Sequence, residues 1–112
     1  MSILICGLSN AGKTTLSQCF NHVIHYDEIP GTTRQKHAYI VEQARQGPIV
    51  VEGVYSERFR RVELAQAMTG KKLCVWLDTP VDICKSRENF RGSAMFEPVT
   101  KEEGWDEIII IS

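Results

Sequence analysis

Gly7-Leu8-Ser9-Asn10-Ala11-Gly12-Lys13-Thr14 occupies every fixed position of the pattern GxxxxGK[ST]. This pattern constrains the fold strongly, because the loop works only when a strand feeds it and a helix leaves it. Ile3-Leu4-Ile5-Cys6 reads as a short, continuously apolar strand, and Thr15-Leu16-Ser17-Gln18-Cys19-Phe20 as the helix. Backbone N–H groups in such a loop turn inward and meet the positive end of the helix, which makes a concave anion site. Gly7 to Thr14, with Thr15 behind them, are therefore the expected contacts of a nucleoside triphosphate. Lys13 would set a point charge against the β- and γ-phosphates, and the Thr14 hydroxyl would serve as a ligand for Mg²⁺.

A chain of 112 residues, 43% hydrophobic and 24% charged, has material for one core and not for two, so one domain over 1–112 is expected. Its longest apolar run of consecutive isoleucines, 108–111, is far short of the roughly 20 residues that span a bilayer. Met1-Ser2 leads directly into the first strand and leaves no room for a signal peptide, so a cytoplasmic location is expected. Cys6, Cys19, Cys74 and Cys84 form no CxxC pair and no cluster at zinc spacing, and are expected to be small buried hydrophobes. A net charge of −1 gives no general attraction to nucleic acid or membrane, so an acidic partner has to be held by local groups.

Apolar strands and helical stretches alternate along the rest of the chain. Val23-Ile24-His25-Tyr26 reads as a second strand ending at Asp27, followed by a helix over 34–45 with Ala38, Val41 and Ala44 inward and Gly47-Pro48 as its stop. Ile49-Val50-Val51 reads as a third strand, apolar on both faces. Ser56 can cap the next helix, with Phe59, Val62, Ala65 and Met68 inward and Gly70 as the stop. Leu73-Cys74-Val75-Trp76-Leu77 is a fourth strand, Thr79-Pro80 starts a helix that continues to about Asn89, and 108–111 is a fifth strand. The order βαβαβαβαβ implies an α/β fold: a doubly wound, parallel, five-stranded sheet flanked by helices, with its ligand crevice at the C-terminal strand ends.

Asp27, Glu52 and Asp78 close the second, third and fourth strands, so all three carboxylates can face that crevice. Glu52 suits the Mg²⁺ shell, through water. Asp78 fits the same pattern, but the following Thr79-Pro80 makes it equally a helix cap. Asp27 can accept the proton of an attacking hydroxyl, although Asp beside Pro30-Gly31 is also ordinary turn chemistry. Arg87 and Arg91, four residues apart, can share a helix face and reach over the phosphates, or lie on a solvated face. Arg34, following the Asp27 loop, is placed for a phosphate on the acceptor, which guanidinium binds bidentately. Arg58, Arg60 and Arg61 oppose the helix dipole, which hints at a use such as phosphate contact, but they read first as surface residues, and His22, His25 and His37 read as structural or surface residues.

These runs, together with Glu97-Pro98 and Glu103-Gly104-Trp105-Asp106-Glu107-Ile108, resemble the small P-loop kinases typified by the phage-type polynucleotide 5′-hydroxyl kinase domain, over nearly the whole chain. The resemblance implies a phosphotransferase that uses ATP and Mg²⁺ on a hydroxyl acceptor such as a DNA or RNA 5′ end. It also implies Asp27 as general base, Arg34 as the ligand of an acceptor phosphate, and Arg87 and Arg91 as lid arginines. Glu52 stands where that family more often has Asp, and the sequence ends at Ser112 without the segment that there packs beside the adenine. A kinase of nucleosides, nucleotides or other small hydroxyl compounds is the alternative expectation, and a nucleotide-binding module without turnover is a further one.

Overall fold

The computed structural model describes residues 1–87 and 95–112. Its elements run β1 (Ser2–Gly7), α1 (Lys13–Ser17), β2 (Val23–His25), a 3-10 turn (Tyr26–Glu28), α2 (Thr33–Gln46), β3 (Val50–Glu52), α3 (Arg58–Ala67), β4 (Lys72–Leu77), α4 (Val81–Ser86), a second 3-10 turn (Lys101–Glu103) and β5 (Glu107–Ile111). The five strands form one sheet in the order β2-β3-β1-β4-β5, with every pairing parallel. The expected doubly wound α/β architecture is therefore present.

β1 lies at the centre of the sheet, and all six of its residues are buried. That is why its sequence is apolar on both faces: a parallel strand covered on two sides has no solvent-facing register. Leu4 and Cys6 join a core cluster with Ile40 and Ala44 of α2 and Leu64 and Ala65 of α3. Ile3 and Ile5 join the opposite cluster with Leu8, Ala11 and Cys84, packed against Leu16 and Val81. Each fully buried aliphatic side chain contributes about 1.5–3 kcal/mol by leaving water. The two faces are thus sealed by different helix pairs, and the loops that connect them meet at the C-terminal ends of the strands.

Several boundaries and faces differ from the sequence expectation. α1 ends at Ser17, and the chain bends through the residues expected to prolong it. β2 stops at His25, so Tyr26 and Asp27 belong to a 3-10 turn. α2 starts one residue early because Thr32 and Gln35 make a capping box, Gln35 N–H donating to Thr32 Oγ1 and Thr32 N–H to Gln35 Oε1. Its buried stripe is His37, Ile40 and Ala44, whereas Ala38 is exposed. Glu57 rather than Ser56 is the N-cap of α3, whose buried stripe is Arg61, Leu64, Ala65 and Met68, and Phe59 lies outside it. α4 ends at Ser86, with Pro80 at its N-cap, and the expected extension to Asn89 falls outside the described residues. Cys6, Cys74 and Cys84 are buried, but Cys19 is exposed on the bend after α1.

Arg61 is the main correction. Expected on the surface, it is fully buried, donating through Nε and Nη2 to both carboxylate oxygens of Glu103 at 2.9 Å and through Nη1 to the Tyr55 carbonyl at 2.7 Å. Its Nη2 also donates to the carbonyls of Glu97 and Pro98. Among the described residues, no helix is long and apolar enough to cross a membrane.

Candidate active site

The loop between β1 and α1 turns through left-handed backbone at Asn10 (φ 65°) and Gly12 (φ 103°), the kind of alternation that gathers N–H groups into an anion-binding concavity. Neighbouring elements brace it. Thr79 Oγ1, just after β4, donates to the Ala11 carbonyl at 3.0 Å, and Asn10 Nδ2 donates to the carbonyls of Cys84 and Arg87 at the end of α4. Arg87 Nη1 returns a hydrogen bond to the Asn10 carbonyl at 2.5 Å. Arg87 is thereby held at the rim, where it lines a cavity of about 220 Å³ with Asn10, Gly12, Lys13, Thr14 and Thr15. Arg91 lies outside the described residues.

Lys13 is buried, and its Nζ donates to the Leu8 carbonyl of its own loop at 2.7 Å. Burial pushes its pKa down from the usual lysine value, opposed by the negative charges of Glu52 and Asp27. A buried ammonium with one carbonyl partner is under-compensated, so an incoming polyphosphate supplies the charge it lacks.

Glu52 is carried to the loop by the register of the sheet. It lies opposite Ile5 of β1 and opposite His25 of β2. Its Oε1 is 3.5 Å from Thr14 Oγ1 and 3.0 Å from His25 Nδ1. Asp27, in the 3-10 turn one step beyond β2, is exposed and lines a cleft of about 520 Å³ with Thr14, Glu52, His22, His25 and Glu28. Thr14 lines both this cleft and the cavity of the loop, so the two spaces border the same residue.

Asp27 also borders a smaller pocket of about 140 Å³ formed with Tyr26, residues 54–57 and Arg60. Gly53 permits this close approach: a Cβ there would lie 2.9 Å from Tyr26 Cβ. Tyr55, held at φ 45° between the Arg61 hydrogen bond to its carbonyl and the His37 contact to its hydroxyl, forms one wall. Burial, then the charge of Tyr26, pushes the Tyr55 pKa up, so its hydroxyl stays protonated.

Of the residues expected from sequence, the structure therefore gathers the loop, Lys13, Thr14, Glu52, Asp27 and Arg87. It does not bring Arg34 into the Asp27 cleft: Arg34 is exposed and lines a groove between α2 and α3. Asp78 is exposed beyond β4, with its backbone N–H donating to the Ile111 carbonyl. His25, Tyr55 and Arg60 were missed as lining residues. The signal available for His25 is its place at the end of a strand beside a carboxylate-bearing one, and that for Arg60 is a positive charge set against the helix dipole; Tyr55 carries none without the tertiary packing.

Loop, strand order and flanking helices together define a doubly wound α/β fold built around a P-loop sequence. The chain is similar to a gluconokinase from Sinorhizobium meliloti 1021, with 21% sequence identity and a TM-score of 0.68 over 97% of this chain and 80% of that one. It is also similar to a sugar kinase from Janibacter sp. HTCC2649, with 16% identity and a TM-score of 0.69 over 98% of this chain and 83% of that one. No protein-family model and no curated protein matches the sequence.

Proposed function

We propose that the protein is an ATP-dependent kinase that transfers the γ-phosphoryl group to a hydroxyl of a small polar acceptor of the sugar or sugar-acid class. The observation that carries this reading is the place of Thr14, which borders both the cavity of the loop and the cleft lined by Asp27. A donor phosphate and an acceptor hydroxyl can meet there without either leaving its own site.

The acceptor oxygen attacks the γ-phosphorus, the bond from that phosphorus to the bridging oxygen breaks, and the acceptor proton passes to the Asp27 carboxylate. Lys13 and the loop amides hold the donor and offset its charge, and Arg87 reaches the developing charge from the rim. Thr14 Oγ1 and Glu52 Oε1 are the oxygens that would hold a hydrated Mg²⁺, which when bound neutralises phosphate charge. The donor set fits such an ion, because both are hard oxygens. Arg91 would join Arg87 in the lid, as the resemblance to polynucleotide kinases implies.

Two features favour a small acceptor over a polynucleotide end. The Asp27 cleft, about 520 Å³, is lined by no Lys or Arg among the described residues that could track the successive phosphates of a polynucleotide backbone. The similar solved structures are described as a gluconokinase and a sugar kinase. The decisive experiment is incubation with γ-labelled ATP and separate acceptors: sugars, sugar acids, nucleosides, nucleotides, and 5′-hydroxyl DNA and RNA. Label should move to a sugar or sugar acid, and both Lys13→Ala and Asp27→Asn should cut transfer by about 10²–10⁴-fold. Label on an oligonucleotide end would restore the polynucleotide acceptor. Label found only in ATP or free phosphate would overturn the kinase reading in favour of a binding module.

A further inference from the structure

The groove between α2 and α3 has a volume of about 600 Å³ and lies on the face of the sheet opposite the cluster that holds α1 and α4. Arg34 and Arg45 line it from α2, and Phe59, Arg60 and Glu63 from α3. Three guanidinium groups thus face one carboxylate, and Glu63 Oε1 already sits 3.0 Å from His37 Nε2. Arg45 and Arg60 have other partners, Glu42 at 3.6 Å and Glu57 at 3.2 Å. The Arg45–Glu42 pair is open to solvent, and an anion can displace it at little cost, whereas Arg60 is partly buried and lies 5.0 Å over the Phe59 ring. Arg34 makes no ion pair with any described residue.

Between the cations the lining is apolar: Ala38, Val41 and Ala67, with Phe59 at the edge and 53% exposed. Apolar lining framed by three guanidinium groups, of which Arg34 has no ion pair among the described residues, is the complement of an anion with a hydrophobic body. The charges are also spread out. Arg34 and Arg45 are eleven positions apart on one helix, about 16 Å along its axis, so a single phosphate or carboxylate cannot engage both ends. We infer that the α2–α3 groove binds an elongated small molecule with an acidic group at each end of an apolar chain, one end held by Arg34 and Arg60 and the other by Arg45.

His37 reports on the groove from its floor, since its ring is buried between Glu63 and the Tyr55 hydroxyl. Arg60 lines both the groove and the small pocket beside Asp27, so occupancy touches the rim of the candidate active site without entering it.

The test is calorimetric titration of the full chain with decanedioate and with decanediol bisphosphate, which separate carboxylate from phosphate ends, against decanoate and butanedioate as one-ended and short controls. At least one long dianion should bind about tenfold or more tightly than either control. Arg45→Glu should weaken that binding by about tenfold or more, and Phe59→Ala, which removes apolar lining and the ring under Arg60 at unchanged net charge, should weaken it as well. Lys13→Ala should leave it unchanged, which keeps the result separate from the nucleotide site. The His37 ring resonance should shift on binding while that of His22 stays in place. Equal affinity for one-ended and two-ended anions, indifference to both groove variants, loss in Lys13→Ala, an unmoved His37 signal, or no binding of any long dianion would each overturn the inference.

Discussion

At the scale of single residues, the two most deeply committed charges are Lys13 and Arg61, and they serve opposite ends. Lys13 is buried with one carbonyl partner and gains from a ligand. Arg61 is buried with every direction of its guanidinium answered by Glu103, Tyr55, Glu97 or Pro98, and gains nothing more. Its cost of desolvation is offset only while the whole set is intact, because removing Arg61 leaves the buried Glu103 carboxylate with Trp105, the Thr100 amide and the more distant Arg58 but without its bidentate partner. Arg61→Ala should therefore lower folding stability by about 3–5 kcal/mol in urea titration, and pairing Arg61→Met with Glu103→Leu should recover most of that loss. A single substitution costing under about 1 kcal/mol would show that the pair is not held as the distances indicate. Arg61 was legible in one respect: 61, 64, 65 and 68 form an i, i+3, i+4, i+7 stripe. An arginine on that stripe reads as surface until a buried carboxylate 42 positions later is known to meet it.

At the scale of elements, the phosphate-binding loop is rigid because its strand is. Gly7 ends β1 at φ 154°, and a Cβ there would stand 2.7 Å from the Leu77 carbonyl of β4. Backbone cannot withdraw from backbone across a paired ladder, so Gly7→Ala has to displace the loop itself. The expected result is a loss of about 1–3 kcal/mol in thermal or urea unfolding, together with weaker ATP binding by fluorescence titration. Unchanged nucleotide affinity in a destabilised variant would separate the strand end from the loop. The helices show a different limit. Both α2 and α3 were expected, and both are present, but their buried faces are rotated from the apolar reading: α2 buries His37 and exposes Ala38, and α3 buries Arg61 and exposes Phe59. A polar side chain occupies an inward position when a partner on another element satisfies it, and hydrophobic periodicity carries no term for that partner.

At the scale of the molecule, two buried titrations set the acid limit. Burial pushes the His37 pKa below its ordinary value of 6.5, with Glu63 only partly opposing. The unfolded chain therefore takes up that proton first, and stability falls as pH drops below about 6.5 toward the lowered native value. Burial works against the ionised form of Glu103, but hydrogen bonds from Arg61 and Trp105, the Arg61 charge and the Thr100 amide outweigh it and hold its pKa below 4.5. A second loss follows as pH falls through that lower range, where the unfolded chain again binds the extra proton. Urea midpoints measured from pH 8 to pH 3 should decline in two limbs, and His37→Gln should flatten only the upper one. An upper limb that survives His37→Gln would assign it to another group.

The sequence by itself determined the loop spacing, the five parallel strands and the acids at or just beyond the ends of three of them, because these depend on short-range patterns: a fixed loop spacing, apolar runs and acids that follow them. The tertiary structure decided what those groups face. Strand order sets His25 and Glu52 in register, joins the loop to the Asp27 cleft at Thr14, and leaves Arg34 in the α2–α3 groove. The physical reason is that local pattern reports how much surface a segment must bury, whereas the partners of a charge are chosen by packing between elements distant in the chain.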